Sequence, residues 1–263
     1  MHSKQPTPFK IHSNQIEAAG ISDPGRVRSE NQDAIYLDRD GVFLLLADGM
    51  GGHERGAEAS TSALEIIQQY FQPDVIADEL CDITEGSGVP VEIVCLTSLV
   101  DEAVRQANET LYRINRSEKL KRYMGTTVVG MILPKDDKVL WFHVGDSRLY
   151  RFRDSGLTQL TTDHSAHIEW ERNGRLGVEP GKNVITRAIG PSYSVTADTL
   201  WDTRQNGDMY LLCSDGLTDM VPDDAIARIL NDGGDVPEIC TRLVRAANDA
   251  GGNDNVSVVL CRM

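Results

Sequence analysis

Hydrophobic and polar positions along this chain follow two rhythms that replace one another. Short apolar runs closed by glycine, asparagine or aspartate predict strands: AIYLD at 34–38, VFLLLA at 42–47, GTTVVGMIL at 125–133, MYLLC at 209–213 and NVSVVLC at 255–261. The stretch KVLWFHVGDSRLYRFRD (138–154) reads as a hairpin-like strand pair broken at Gly145, Asp146 and Ser147. In its first half Leu140, Phe142 and Val144 alternate with Trp141 and His143, which puts His143 on a strand face as a packed or hydrogen-bonded histidine. Helical spacing marks four other stretches. GAEASTSALEIIQQYFQ (56–72) turns Leu64, Ile67, Tyr70 and Phe71 to one side and stops at Pro73. From Val91 a longer helix carries Leu96, Leu99, Val100, Ala103, Ala107, Leu111 and Ile114 at steps of three and four, a packing stripe. Its end is basic, with Arg113, Arg116, Lys119, Lys121 and Arg122, which suits a helix C-terminus and reads as a solvated face. PDDAIARILND and DVPEICTRLVRAANDAG are the last two helices, the second stopped by Gly251 and Gly252.

Two stretches lack either rhythm. Residues 1–15 read as a flexible polar leader, and residues 74–90 as a solvated connection rich in Asp, Glu and Gly. The irregular run 161–190 is interrupted only by a short helical piece near His167 to Arg172, and long irregular runs inside compact chains are often functional. It is therefore a candidate lid. His164 and His167 within it could pair on a metal, but no third ligand type lies near them in the sequence.

Composition narrows the class of function. With 40% hydrophobic and 25% charged residues over 263 positions, the chain can bury a sizeable core. A formal net charge of −14 argues against a nucleic-acid surface, which needs clustered cations. No apolar run has the length of a membrane span and the start lacks a secretory hydrophobic region, so a cytoplasmic protein is expected. The five cysteines, Cys81, Cys95, Cys213, Cys240 and Cys261, are scattered without a CxxC pair and read as packed, reduced thiols.

What recurs is an acid where an apolar run stops. Asp33, Asp48, Asp146, Asp215, Asp219 and Asp254 all stand beside turns at strand ends, most of them followed by Gly, Ser or Asn. If the folded strands bring those ends together, the carboxylates repel one another unless cations lie between them. Oxygen-only ligation points to Mg²⁺ or Mn²⁺, and two such ions would activate a water and clamp a phosphoryl group, with an arginine forking its oxygens. Nucleotide loops do not account for the glycines, since GMGGHERG lacks GK[ST] and misses the GxGxxG spacing, and EF-hand ligand spacing is missing too.

The ordered series RVRSENQDA, LLLADGMGGHERGAEAS, MGTTVVG, HVGDSRLYR, ITRAIG, LLCSDGLTD and GGNDNVSVV resembles the metal-dependent protein phosphatases of the PP2C (PPM) family, bacterial branch, over about residues 16–263. The resemblance implies an α+β fold: a four-layer α-β-β-α sandwich of two antiparallel sheets flanked by helices, in one domain (16–263) with a flap subdomain at about 163–186. It implies that Asp33, Asp48, Asp215 and Asp254 hold two Mn²⁺ or Mg²⁺ ions, that Gly49 adds its backbone carbonyl, and that Asp146 and Asp219 help to hold a third. Arg28 corresponds to the arginine that binds the substrate phosphate. The implied activity is hydrolysis of phosphoserine and phosphothreonine in proteins by a water bridging the two metals, undoing the work of a Ser/Thr kinase, by an enzyme expected to be a monomer. Met50 and Gln32 depart from the animal-type pattern, which has His and Glu there. The proton donor to the leaving group is then a metal-bound water, His53, or no side chain at all, and for His53 a structural role in the glycine turn is preferred. A module of this family that has lost catalysis would be expected to lack one of the core acids, and here all four are present.

Overall fold

A strand that is apolar on both faces needs two layers to bury it. The computed structural model, which describes residues 9–12, 16–38, 42–51, 54–72, 74–76, 88–119, 121–134, 137–181 and 183–263, supplies both. Strands are numbered along the chain. One antiparallel sheet runs in the order β1 (Phe9–His12), β2 (Glu17–Asp23), β12 (Val256–Arg262), β11 (Met209–Cys213), β8 (Arg148–Arg153), β9 (Gly156–Gln159). The other runs β10 (Asp198–Thr203), β7 (Lys138–Val144), β6 (Val128–Ile132), β4 (Phe43–Met50), β3 (Asp33–Leu37), with β5 (Gly125–Thr126) paired to the end of β4.

Residues on successive strand positions go to different cores. Leu44 and Leu46 join Val129, Met131, Trp141, Tyr210, Leu212 and Val259 between the sheets. Phe43, Leu45 and Ala47 face outward onto α1 (Glu54–Gln69) and α2 (Val91–Ser117), meeting Leu64, Ile67, Leu96, Val100 and Leu111. On the far side Leu211, Cys213, Val258 and Leu260 pack under α5 (Asp223–Asn231) and α6 (Val236–Asp249) through Ile226, Leu230, Ile239, Leu243 and Ala247. The expected four-layer α-β-β-α sandwich is thus the observed one. Two smaller helices, α3 (Ala166–Arg172) and α4 (Asp215–Thr218), lie in the irregular stretch and directly after β11.

The expected hairpin across Gly145–Ser147 is not one. β7 pairs with β6 and β10, whereas β8 pairs with β11 and β9, so the GDS turn carries the chain from one sheet to the other. Gly145 allows the crossing at φ +107, a conformation disfavoured for residues with a Cβ. The leader is corrected as well: Phe9–His12 pairs antiparallel with Glu17–Gly20, because the edge of β2 otherwise presents a row of unpaired backbone groups. β2, β9 and β10 have too little apolar alternation to be read from sequence and owe their state to their neighbours. Pro73, Cys81, most of the 74–90 connection, and the expectation for His53 fall outside the described residues.

Candidate metal centre

The acids singled out in the sequence come together at one end of the sandwich. Asp33 and Asp48 face each other as cross-strand partners at the ends of β3 and β4, and Asp215 opens α4 immediately after β11. Asp48, Asp215, Asp219 and Asp254 line one cleft of about 500 Å³, together with Arg28, Gln32, Gly49, Met50, Arg122, Asn183 and Asn255. Asp146, on the sheet-crossing turn, lines a neighbouring cleft of about 230 Å³ that shares Asp215, Asp219 and Asn183 with the first.

Asp33 and Asp48 are held from behind by groups of ordinary appearance in the sequence. Ser214 donates to Asp33 Oδ2 at 2.9 Å and accepts from the Ser257 backbone N–H at 3.0 Å. The Asp48 N–H donates to Thr127 Oγ1 (3.0 Å), its carbonyl accepts from Thr126 Oγ1 (2.8 Å) and from the Thr127 N–H (2.9 Å), and Thr127 in turn bonds Ser147 Oγ at 2.7 Å. Asn255 accepts from the Gln32 N–H at 2.9 Å and donates to the Glu30 and Pro24 carbonyls at 2.8 and 3.1 Å, tying the Arg28 loop to the entrance of β12. Gly49 has its own reason to lack a side chain. A Cβ there would stand 2.1 Å from the Gly56 carbonyl oxygen and 2.6 Å from that of Gln32, so the residue is small because α1 and the Arg28 loop both press on it.

The cluster is electrostatically expensive as it stands. Burial, opposed in part by bonds from Ser257 and Ser214 and reinforced by Asp215 and Asp254, raises the Asp33 pKa to about 7. Burial and then the charges of Asp33, Asp215, Asp146 and Asp254 push Asp48 well above the carboxylate range. Asp215 rises to about 6 and Asp146 to about 7, by burial first and then by neighbouring acids. Asp33 Oδ1, Asp215 Oδ1 and Asp146 Oδ1 are buried without a hydrogen-bond partner. Buried, orphaned, mutually repelling carboxylate oxygens on fixed backbones fit hard divalent cations and little else. Among the described residues these acids do not converge as a group of three within 4.8 Å.

Arg28 reaches the same cleft, where its Nη2 pairs with Asp254 Oδ2 at 2.7 Å, and it stays more than half exposed. Arg122, expected on a solvated helix end, also lines the cleft. Met50 lines it too, and a thioether neither gives nor takes a proton.

Among the described residues, His143, His164 and Asp198 do bring donor atoms within 4.8 Å of one another. Their bonding speaks against a metal there. The Gly145 N–H donates to His164 Nδ1 at 3.0 Å, which places the ring proton on Nε2, 3.4 Å from Asp198 Oδ2. A cation at Nε2 would need the lone pair that this proton occupies. His143, stacked on His164 at 4.4 Å and bonded to the Thr162 carbonyl, is the packed strand histidine that its alternation suggests. Cys213, Cys240 and Cys261 are buried, with thiols pushed up to about 12 by burial, so none of the three supplies a thiolate.

Comparison with known proteins identifies the family and the fold. The family model for protein phosphatase 2C matches residues 26–261. A serine/threonine phosphatase, stp, of Listeria monocytogenes is 32% identical over 250 residues, which cover 91% of this chain and 92% of that protein. The structure of the S. agalactiae serine/threonine phosphatase superposes with a TM-score of 0.80 at 30% identity, covering 94% of this chain and 99% of that one. The catalytic domain of the serine threonine protein phosphatase PstP, solved in complex with two manganese ions, gives a TM-score of 0.75 at 33% identity, over 94% of this chain and 97% of that one.

Proposed function

The chain belongs to the protein phosphatase 2C family, and from that premise we propose that it is a protein-serine/threonine phosphatase whose metal-dependent site is the cleft formed by Asp33, Asp48, Asp215 and Asp254. The observation that carries the assignment is the meeting of Asp48, Asp215 and Asp254 in one cleft beside an arginine, with Asp33 directly across from Asp48 on β3 and buried carboxylate oxygens that no hydrogen bond satisfies. Asp33, Asp48, Asp215, Asp254 and the Gly49 carbonyl are the donors for two Mn²⁺ or Mg²⁺ ions, and Asp146 with Asp219, across the shared wall of the second cleft, for a third. When bound, such ions supply charge neutralisation and an activated water for in-line attack on phosphorus.

The chain's own groups then do the following. Arg28 presents a planar fork at the mouth; leaving Asp254, it can take two phosphoryl oxygens in the same geometry and stabilise their charge as the P–O bond breaks. Thr126, Thr127 and Ser147 hold Asp48 through its backbone, and Ser214 and Ser257 hold Asp33, so neither carboxylate reorganises during the reaction. Asn183 and Ile185, at the end of the 163–186 flap, form one wall of the cleft and bring that segment to the substrate. Since Met50 offers no proton, the leaving serine or threonine oxygen takes its proton from water or from a group other than residue 50.

The same reading makes residues 16–263 a single phosphatase domain acting as a monomer in the cytoplasm on proteins phosphorylated by a Ser/Thr kinase. Its support is the sandwich core shared by both sheets, and that no helix among the described residues is long and apolar enough to cross a membrane. The test is release of phosphate from p-nitrophenyl phosphate and phosphothreonine peptides with and without Mn²⁺. Asp48→Asn and Asp215→Asn are each expected to lower kcat/KM by at least about a hundredfold, the scale of losing a group that stabilises transition-state charge. Full activity in either variant sinks the assignment. A second reading, a module that has lost catalysis, would show in calorimetry as no Mn²⁺ binding at millimolar concentrations.

A further inference from the structure

The basic run at the end of α2 is a feature of the sequence that the chemistry above leaves unused. Its members have separate fates. Arg113 pairs with Glu109, and Arg116 lies beside Tyr123. Glu118, the acid within the run, is taken by Arg55. That leaves Lys119, Lys121 and Arg122, all exposed, and among the described residues none of the three has a carboxylate partner. Lys119 turns the chain at φ +52, and after that turn Arg122 enters the lining of the metal cleft, in company with Arg28, Asp48, Asp215 and Asp254.

An unpaired arginine at this place is informative because of the charge around it. The chain carries 40 acidic against 26 basic side chains, and several surface arginines meet acids, as in the pairs Arg105 with Glu102 and Arg175 with Glu171. Arg28 has its guanidinium on Asp254, within the acid cluster, and is committed to the phosphoryl group itself. Arg122 belongs to the same cleft but comes from a different segment, with two further cations close by in the chain. A phosphorylated segment lying in this cleft would therefore carry its neighbouring residues past a cationic lip.

We propose that Arg122, supported by Lys119 and Lys121, is a specificity residue that receives an anionic group flanking the phosphorylated residue of the substrate. That group is an acidic side chain or a second phosphoryl group. The proposal rests on the phosphatase reading above and adds the substrate class: phosphoproteins whose phosphoserine or phosphothreonine sits in an acidic or multiply phosphorylated sequence.

The experiment measures kcat/KM of the Mn²⁺-loaded protein on phosphothreonine peptides that differ only in flanking residues: Glu, Ala, Lys, or a second phosphothreonine. For the wild type, peptides flanked by Glu or by the second phosphothreonine are expected to exceed the Lys-flanked peptide by about two- to fivefold, the range exposed charge pairs allow, with the gap shrinking at high salt. Arg122→Glu is expected to invert the ratio of Glu-flanked to Lys-flanked peptides. Because that ratio is read within one protein, partial misfolding of the variant does not move it. A gain with the second phosphothreonine alone upholds the proposal and identifies a phosphoryl group as the anion. A wild type indifferent to flanking charge, or an Arg122→Glu variant that keeps the wild-type ratio, overturns it. Both of those results require turnover of p-nitrophenyl phosphate; no turnover of any phosphoester would instead overturn the phosphatase assignment itself.

Discussion

Gly49 shows how far a residue's reason can differ from its neighbours' chemistry. In sequence it is the residue after Asp48 to which the family resemblance gives a metal-binding carbonyl. In the fold it is wedged between the Gly56 and Gln32 carbonyls, and its N–H donates to Gln32 at 3.1 Å. Gly49→Ala is therefore expected to lose about 2 kcal/mol or more of stability by overpacking against backbone that cannot yield. It also displaces β4 from the Arg28 loop, so phosphatase activity falls more than stability does. Urea denaturation beside kcat/KM checks this, and a variant matching the wild type in both contradicts it. Asp48 was legible as an acid at a strand end. Thr127, Ser214 and Asn255 were not, because a serine, threonine or asparagine near a turn has the same appearance whether or not a carboxylate or loop lies on its far side.

At the scale of elements, α2 is the clearest case. Its apolar stripe predicts a packed helix, and Leu96, Leu99, Val100, Ala103, Ala107 and Leu111 are indeed buried. The stripe hides a second duty carried by two buried asparagines one heptad apart. Asn115 accepts from the Met124 N–H at 2.9 Å and donates to the Met124 and Gly190 carbonyls at 2.8 and 3.1 Å. Asn108 accepts from the Gly190 N–H and donates to the carbonyls of Ser192 and Tyr193. The helix thus fixes the end of the ITRAIG stretch, and the residues just after it, against the MGTT stretch that supports Asp48. Asn115→Leu leaves buried backbone groups unpaired and is expected to cost about 2–4 kcal/mol, given about 1–3 kcal/mol for each such group. A shift in the urea midpoint with unchanged slope measures it, and a loss below about 1 kcal/mol would argue that the helix is held by its apolar stripe alone.

For the whole molecule, the acid cluster makes stability depend on pH and metal together. Asp33 and Asp146 have pKa values raised to about 7, and Asp48 is raised as well by burial and its acidic neighbours, so the folded state holds protons that the unfolded chain has released. Such groups stabilise the metal-free fold at low pH and lose that contribution as pH rises through their folded values. His143 and His164, with pKa values lowered mainly by burial, in the second case to about 4, act in the opposite sense below about pH 6.5. The aspartates therefore dominate above it. In EDTA the Tm is expected to fall between pH 6.5 and 8.5 by several degrees, at roughly 2–4 °C for each kcal/mol in a chain of this size. Mn²⁺ should raise the Tm more at pH 8.5 than at 6.5. A metal-free Tm that rises over this interval would show that the acids are not strained in the fold.

The sequence by itself determined the architecture's main members and the inventory of the site. Double-faced apolar runs need covering on both sides, helical stripes supply that cover, and an acid at the end of each run has a cost that only a cation or a partner can offset. Which acids share a cleft was decided by tertiary structure, because strand ends far apart in the chain become neighbours only through sheet order. Tertiary structure also decided that the GDS turn crosses between sheets instead of closing a hairpin, since pairing partners are chosen by packing and not by adjacency. Arg122 belongs with these: whether a cation at a helix end faces water or an acid-lined cleft depends on where the fold puts that end.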